Sequence, residues 1–233
     1  ETVTQGNIGL DFGLWNNRLR GAFDVYNKVT SDLFQSTPLS AVTGVTSQNA
    51  NTGELINQGF DFQVNYAVLQ STDGFNLELG VVGNYNKTEL KDIPNETGEL
   101  VGLGRNGGIF GEYYTLRYAG VNPANGNLLY YDAAGAVTEN PNADTDRVWL
   151  NKSIVPDWNG SFTLNADYKG WFLTTQFNYV VGVDRFDNDY ADLVDPTAVG
   201  QFNLSTDILR AWSQPGDITD QPRFNAANLN SFG

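Results

Sequence analysis

The 233-residue chain has no cysteine, no histidine and no methionine. Without cysteine there are no disulfides, no thiol nucleophile and no thiolate metal site. Without histidine the usual general base and the commonest metal ligand are missing, so Ser-His-Asp triads and His-based zinc motifs are excluded by inventory. Basic residues are scarce: 13 Lys and Arg against 27 Asp and Glu give a net charge of −14. Phosphate recognition needs a basic stripe, so nucleic acid is not an expected partner. The acidic residues are spread along the chain rather than gathered in a tail, which reads as solvated loops. No run of about 18 apolar residues occurs, so no transmembrane helix is encoded. The chain opens Glu1-Thr2-Val3, already close to a strand and with no leader before it. That start is expected of a fragment of a longer protein.

What is present is alternation. In the stretch 157–182, Trp158, Phe162, Leu164, Ala166 and Tyr168 fall on even positions, and Trp171, Leu173, Phe177, Tyr179 and Val181 on odd ones. Folding about Lys169-Gly170 pairs Tyr168 with Trp171, Ala166 with Leu173 and Phe162 with Phe177. Asn165 and Thr163 then meet Thr174 and Gln176. Side chains alternate across a strand, so this register gives one apolar and one polar face. Each arm runs about 11 residues, roughly twice the usual strand. At about 3.3 Å per residue and a tilt near 45°, such strands cross a hydrocarbon layer of about 25 Å.

Two further hairpins obey the same parity. Strands at about 3–14 and 19–29 fold about Asn16-Asn17, pairing Leu14 with Leu19, Leu10 with Phe23 and Ile8 with Val25. Strands at about 59–69 and 74–86 are joined through Gln70-Ser71-Thr72-Asp73, a connection that predicts Val68 opposite Phe75 and Val64 opposite Leu79. Long connections follow at about 30–58, 87–156 and from 183 to 233. The second is expected to hold a small β-element at 113–121 and 127–131. Long strand, short turn, long strand, long loop, three times over, is the layout of an outer-membrane barrel. The expected fold is therefore all-β: part of an antiparallel transmembrane β-barrel, about six long strands in three hairpins, with long extracellular loops and periplasmic turns. Trp15, Trp158, Tyr168 and Trp171 near strand ends suit the interfacial girdles. A soluble β-sandwich also alternates, but its strands cluster near five or six residues. Six strands cannot close a membrane barrel, and open edges are not tolerated in lipid, so both edges need partners from elsewhere in the chain's own protein.

Several segments, in order, carry a family resemblance. Asn51-Thr52-Gly53-Glu54-Leu55-Ile56-Asn57-Gln58-Gly59-Phe60-Asp61 resembles the N-x-G-x-x-x-N-x-G-x-E signature of SusC/RagA-like TonB-linked outer-membrane receptors, with Asp61 in place of the more usual Glu. Asn7-Ile8-Gly9-Leu10-Asp11 and Tyr26-Asn27-Lys28-Val29-Thr30-Ser31-Asp32-Leu33 are similar to further segments of that family. So are Tyr118-Ala119-Gly120-Val121-Asn122-Pro123 with Gly126 and Tyr131-Asp132, Val155-Pro156-Asp157-Trp158-Asn159-Gly160, and Arg210-Ala211-Trp212 through Pro215-Gly216-Asp217 to Pro222-Arg223. The resemblance implies that 1–233 is one fragment of the C-terminal half of a receptor barrel, with the plug domain, the TonB-contacting segment and the closing strands outside it. It further implies import of glycans or peptides across the bacterial outer membrane, TonB as the energy source, a SusD-like surface lipoprotein as lid, and outer-membrane lipid around the wall. A passive porin, a barrel of a secretion or surface complex, and a soluble carbohydrate-binding β-module are the alternative readings.

Each candidate site residue also admits a structural role. Gly102-Leu103-Gly104-Arg105-Asn106-Gly107 spells G-x-G-x-x-G, but a dinucleotide site needs a preceding parallel strand and a following helix, so these glycines are expected to shape a loop. Asp184, Asp187, Asp189, Asp192 and Asp195 share one loop and offer oxygen ligands for Ca²⁺, though not in EF-hand order; hydrated acidic loops look the same. Nothing sets two carboxylates apart for glycoside hydrolysis, so an enzyme is not expected. Tyr113, Tyr114, Tyr130, Tyr131, Trp149 and Trp212 are the loop aromatics. They suit stacking on sugar rings or anchoring a partner, and equally suit packing the loops onto each other. Polar strand residues (Asp11, Asp24, Asp61, Gln63, Asn65, Glu78, Asn84, Asn165, Asp167, Gln176, Asn178) are expected to line a lumen.

Overall fold

A computed structural model describes residues 1–38, 44–45, 47–94 and 97–226. Residues 39–43 and 46 of the first long connection, 95–96 of the second and 227–233 of the third lie outside the described residues. The chain divides into two compact units, Glu1–Tyr113 with Asn151–Asp184, and Tyr114–Leu150 with Arg185–Gly233.

The first unit is built on a six-stranded sheet: β1 Thr2–Leu14, β2 Leu19–Ser31, β3 Glu54–Leu69, β4 Asn76–Lys91, β5 Trp158–Tyr168 and β6 Trp171–Val181. Each strand pairs antiparallel with the next in sequence, so the sheet is a simple meander with β1 and β6 at its edges. The sheet is open, not closed on itself. β3 and β4 are longer than their alternation predicts, starting at Glu54 and ending at Lys91.

The first and third hairpins have the expected register: Leu14 faces Leu19, Ile8 faces Val25, Tyr168 faces Trp171 and Phe162 faces Phe177. Their turns supply the left-handed backbone that such tight connections need. Trp15, Asn16 and Asn17 have φ of 53°, 56° and 63°; Lys169 and Gly170 have 46° and 87°. The second hairpin differs. Val64 faces Val81 and Tyr66 faces Leu79, two residues from the expected register, and the pairing is irregular between Ala67 and Leu69. The last pair of this ladder is Leu69 with Leu77, so 70–76 connect the arms where 70–73 were expected, a slip of three that the irregularity reduces to two. The neighbouring turn takes hold at that irregularity. Arg18 Nη2 donates to the carbonyls of both Ala67 (3.3 Å) and Val68 (2.9 Å), and Ala67 N donates to Arg18 O (2.8 Å). The guanidinium thus holds an extra residue out of the ladder. A shift of two keeps every side chain on its own face, so the face assignment survives.

The apolar face is continuous across all six strands. One row runs Ile8, Val25, Phe60, Tyr85, Trp158, Val181; the next runs Leu10, Phe23, Phe62, Gly83, Gly160, Tyr179. In the second row the Phe62 ring lies over Gly83 and the Tyr179 phenol over Gly160, where a Cβ would collide with them. The two rings close a gap that the paired glycines would otherwise leave. Phe162 is 55% exposed, Phe177 68% and Trp171 82%, and among the described residues no large side chain is fully buried. Leaving such a side chain in water forgoes roughly 1.5–3 kcal/mol each. A sheet with this face needs an apolar phase or a cover.

The turns are stepped. Pair Leu14–Leu19 closes the first turn and is in line with Tyr66, Leu79 and Leu164. The third turn closes at Tyr168–Trp171, four residues beyond Leu164, over four strand spacings. One residue of stagger per strand, at about 3.3 Å against a spacing of about 4.8 Å, levels the turns when the strands tilt by roughly 35°, within the range of barrels. At that tilt Trp158 and Tyr168, at the two ends of β5, are about 27 Å apart in height, close to the ~25 Å of a barrel's apolar band.

Outside the sheet, Phe34–Pro38 pairs with Ser47–Asn51 in the first connection. In the second, the expected arm at 113–121 is two strands: Glu112–Thr115 pairs with Val148–Ser153, and Arg117–Val121 with Leu128–Tyr131. Among the described residues after 182 the elements are a short helix, Asn188–Leu193, and two 3-10 turns, Pro196–Ala198 and Thr206–Arg210.

Candidate functional site

All eleven polar residues expected in a lumen share the face opposite the apolar one. They bond across strands. Arg20 Nη2 lies 2.8 Å from Glu78 Oε2, Asn84 donates to Asp61, Asn159 Nδ2 donates to Asn84 Oδ1 (3.1 Å), and Asn76 Nδ2 to Asp167 Oδ2 (3.0 Å). Asp24 and Asp61 sit directly opposite each other, an unfavourable like-charge pair. They lean apart: Asp61 takes the Asn84 amide, while Asp24 lies over Gly9, in space that any Cβ there would fill.

The G-x-G-x-x-G stretch forms a loop, as expected. Gly102, Gly104 and Gly107 have φ of 89°, 140° and 72°, and the loop folds back on the end of β4 through Gly107 N to Leu90 O (2.8 Å). Sequence reading passed over its main anchor. The Glu112 carboxylate is fully buried, pairs with Arg105 at 3.2 Å and accepts the Asn151 amide at 2.7 Å.

The acidic loop is used for local bonding. Asp184 pairs with Lys152 (2.9 Å). Asp187 caps the helix Asn188–Leu193 by accepting from Tyr190 N, and Asp195 caps Pro196–Ala198 by accepting from Thr197 N. Asp189 lies in the first helical turn. Among the described residues no group of three or more acidic side chains is arranged to hold a metal.

The loop aromatics pair off. In the first unit Tyr113 OH donates to Asp184 O at 3.4 Å. In the second, Tyr114 and Trp149 stack with centroids 4.8 Å apart, Tyr130 meets Tyr118 edge-on at 6.1 Å, and Arg117 lies over Tyr131 at 5.4 Å. Burial raises the Tyr130 phenol above its usual range, so it stays protonated. Trp212 is held at both its face and its nitrogen: the ring covers Gly126, and Nε1 donates to Pro123 O at 3.0 Å. Gly216 N adds a second bond to Pro123 O (2.8 Å), and Arg223 N bonds Gly126 O (3.1 Å).

The same 122–127 turn wraps the Glu139 carboxylate, which accepts from Asn122, Asn125 (2.7 Å) and Asn127 (2.7 Å). The Asn127 and Asn125 amides, helped by Asn122 and the Arg223 charge, hold Glu139 below the usual carboxylate range. A lowered folded pKa stabilises above the ordinary value of 4.5, and that stability is lost as pH falls through the lowered one. Protection of the amides in the turn, measured against their intrinsic exchange rate at each pH, is therefore expected to hold from neutral pH down to about 5 and to fall below it. Glu139→Gln should flatten that profile; an unchanged acid limb would remove Glu139 as its source.

No protein-family model matches the chain. TonB-dependent receptor P39 of Formosa agariphila is 26% identical over 99% of the chain and 27% of its own length. TonB-dependent receptor SusC of Bacteroides thetaiotaomicron is 31% identical over 60% of the chain and 14% of its own length. The RagAB peptide importer in its open-open state superposes with a TM-score of 0.84 at 28% identity, over 96% of the chain and 25% of the solved one. The chain is SusC/RagA-like. It spans about a quarter of the length of the Formosa relatives. Two of the SusC/RagA-like segments, 118–132 and 210–223, lie far apart in sequence and form the two sides of the Trp212 clasp. Another, 51–61, enters β3; there Gly53 takes φ 85° and Gly59 leaves room for the Tyr26 phenol and the Tyr85 carbonyl.

Proposed function

We propose that the chain is a stretch of barrel wall from a TonB-dependent outer-membrane importer that takes up glycans or peptides with a SusD-like surface lipoprotein as its lid. The observation that carries this reading is the two-faced sheet: an uninterrupted apolar face set against a hydrogen-bonded polar one, on strands of 11 to 16 residues. Lipid covers the first face and a solvated, plugged lumen the second. The short turns face the periplasm and the long loops face outward. In this reading 1–233 belongs to one barrel domain, in its C-terminal half, and the plug and the closing strands lie elsewhere in the protein. TonB acts through that other part. The wall performs no chemistry; it is the rigid frame against which the plug moves. In the second unit the stacked pair Tyr114 and Trp149, with Tyr130 and Tyr131, is where cargo or lid meets the loops, while Trp212 holds them in shape; Tyr113 is a separate candidate contact in the first unit.

Uptake of labelled oligosaccharides or peptides by cells carrying the intact protein tests the reading. It should stop when TonB is removed, and purification from outer membranes should bring a surface lipoprotein along. Uptake that continues without TonB would make the barrel a passive pore.

A further inference from the structure

On the long-loop side the apolar face ends in an ordered change of chemistry. Its last complete row contains Val25, Phe60, Tyr85 and Trp158, and three of these rings pack together: Phe60 to Tyr85 at 5.6 Å, Phe60 to Trp158 at 5.4 Å and Tyr85 to Trp158 at 5.0 Å. The next row on the same face is polar, with Asn27 opposite Gln58 and Gln58 opposite Lys87. The two rows border an open groove of about 510 Å³. Its floor is Val25, Phe60 and Tyr85; its rim is Asn27, Gln58 and Lys87. All three rim side chains are exposed. Among the described residues neither rim amide has a hydrogen-bond partner. The carboxylate paired with Lys87 is that of Glu89, 3.6 Å away and one row farther from the apolar band.

We propose that this groove binds a phosphate-bearing lipid of the outer leaflet, its acyl chain along the aromatic floor and its phosphate on Lys87 Nζ and the two amides. The proposal rests on reading the apolar face as the lipid-facing one, with which the groove is continuous. Charge complementarity selects the headgroup. A chain of net charge −14 repels anionic surfaces as a whole, so any preference for an anionic lipid must be local. Lys87 is the cation that stands at the edge of the apolar band on this side of β4, with two amides able to donate, and no carboxylate, beside it in its row. Hydrocarbon, then ring edges, then amide donors and an ammonium group is the sequence of partners that a phospholipid or glycolipid phosphate presents in mirror order.

The test uses the intact protein in nanodiscs of phosphatidylcholine with and without phosphatidylglycerol, reading retained lipid by native mass spectrometry. Lys87→Gln should weaken retention of the anionic lipid about fivefold, the worth of one lysine at a lipid surface. Asn27→Ala with Gln58→Ala should weaken it further. Lys28→Gln, one residue away on the opposite face of β2, should leave it unchanged. Equal loss in the Lys28 variant, no loss in the Lys87 variant, or displacement of the lipid by millimolar inorganic phosphate would each overturn the site. Quenching of Trp171 by brominated lipids separates the two levels. Without quenching, the lipid-facing reading itself falls; with quenching and an unaffected Lys87 variant, only the headgroup site does.

Discussion

Phe162→Arg is expected to destabilise the folded barrel in lipid by about 3 kcal/mol, whereas Gln176→Arg, in the facing strand, should change it by less than about 0.5 kcal/mol. Phe162 lies midway along β5 on the apolar face, and Gln176 faces Thr163 on the polar one. An arginine at the first position must bring its charge into hydrocarbon; at the second it reaches water among Asn178 and its neighbours. Urea unfolding of the intact protein in phospholipid vesicles measures both. The soluble-module reading predicts something else. Phe162 is already 55% exposed, so in water its replacement would be nearly neutral. Equal, small effects at the two positions would therefore reject the membrane face.

Arg105→Ala should cost about 3 kcal/mol in the loop that it braces. Glu112 has no exposed side-chain surface, and Arg105 is the cation at its carboxylate. Removing the guanidinium leaves a buried charge with the Asn151 amide as its remaining donor in this lock. Such a charge destabilises more than the pair itself stabilises, because its lost hydration is no longer offset. Faster exchange of the Asn151 amide and new protease cleavage between 99 and 111 are the expected signs. Arg105→Ala combined with Glu112→Leu should recover most of the loss. If the double variant is as open as the single one, the loop depends on the packing of Leu90 and Ile93 instead.

The sheet was legible wherever turn chemistry and parity agreed. Asn16-Asn17 and Lys169-Gly170 accept left-handed backbone, so two hairpins could be placed to the residue. The second hairpin could not, because its connection is longer than the four residues that Gln70-Ser71-Thr72-Asp73 suggest, and because Arg18, distant in sequence, holds an irregularity through the Ala67 and Val68 carbonyls. Parity alone cannot detect a slip of two, since that slip conserves the faces. Loop roles were less legible for the same reason. Glu139, Trp212 and Glu112 act through partners 7 to 89 residues away, and no local pattern signals such pairs. The acidic loop is the exception: Asp195-Pro196 reads as a helix cap followed by a first-turn proline, a signal that the Ca²⁺ reading overlooked.

The stepped turns change what a hydrogen-bonded row means. In a sheet tilted by roughly 35°, moving sideways from strand to strand is also a climb of about one residue each time. Ile8 and Trp158 share a row. Yet Ile8 is six residues from the last pair of its turn at Leu14, and Trp158 is ten from Tyr168. In the proposed membrane setting distant row-mates therefore lie at different depths, Ile8 within the apolar band and Trp158 at its border. Tolerance of substitution along this wall should follow distance from the nearest turn, and an alignment drawn along the full length of a ladder rung would mix residues at different depths.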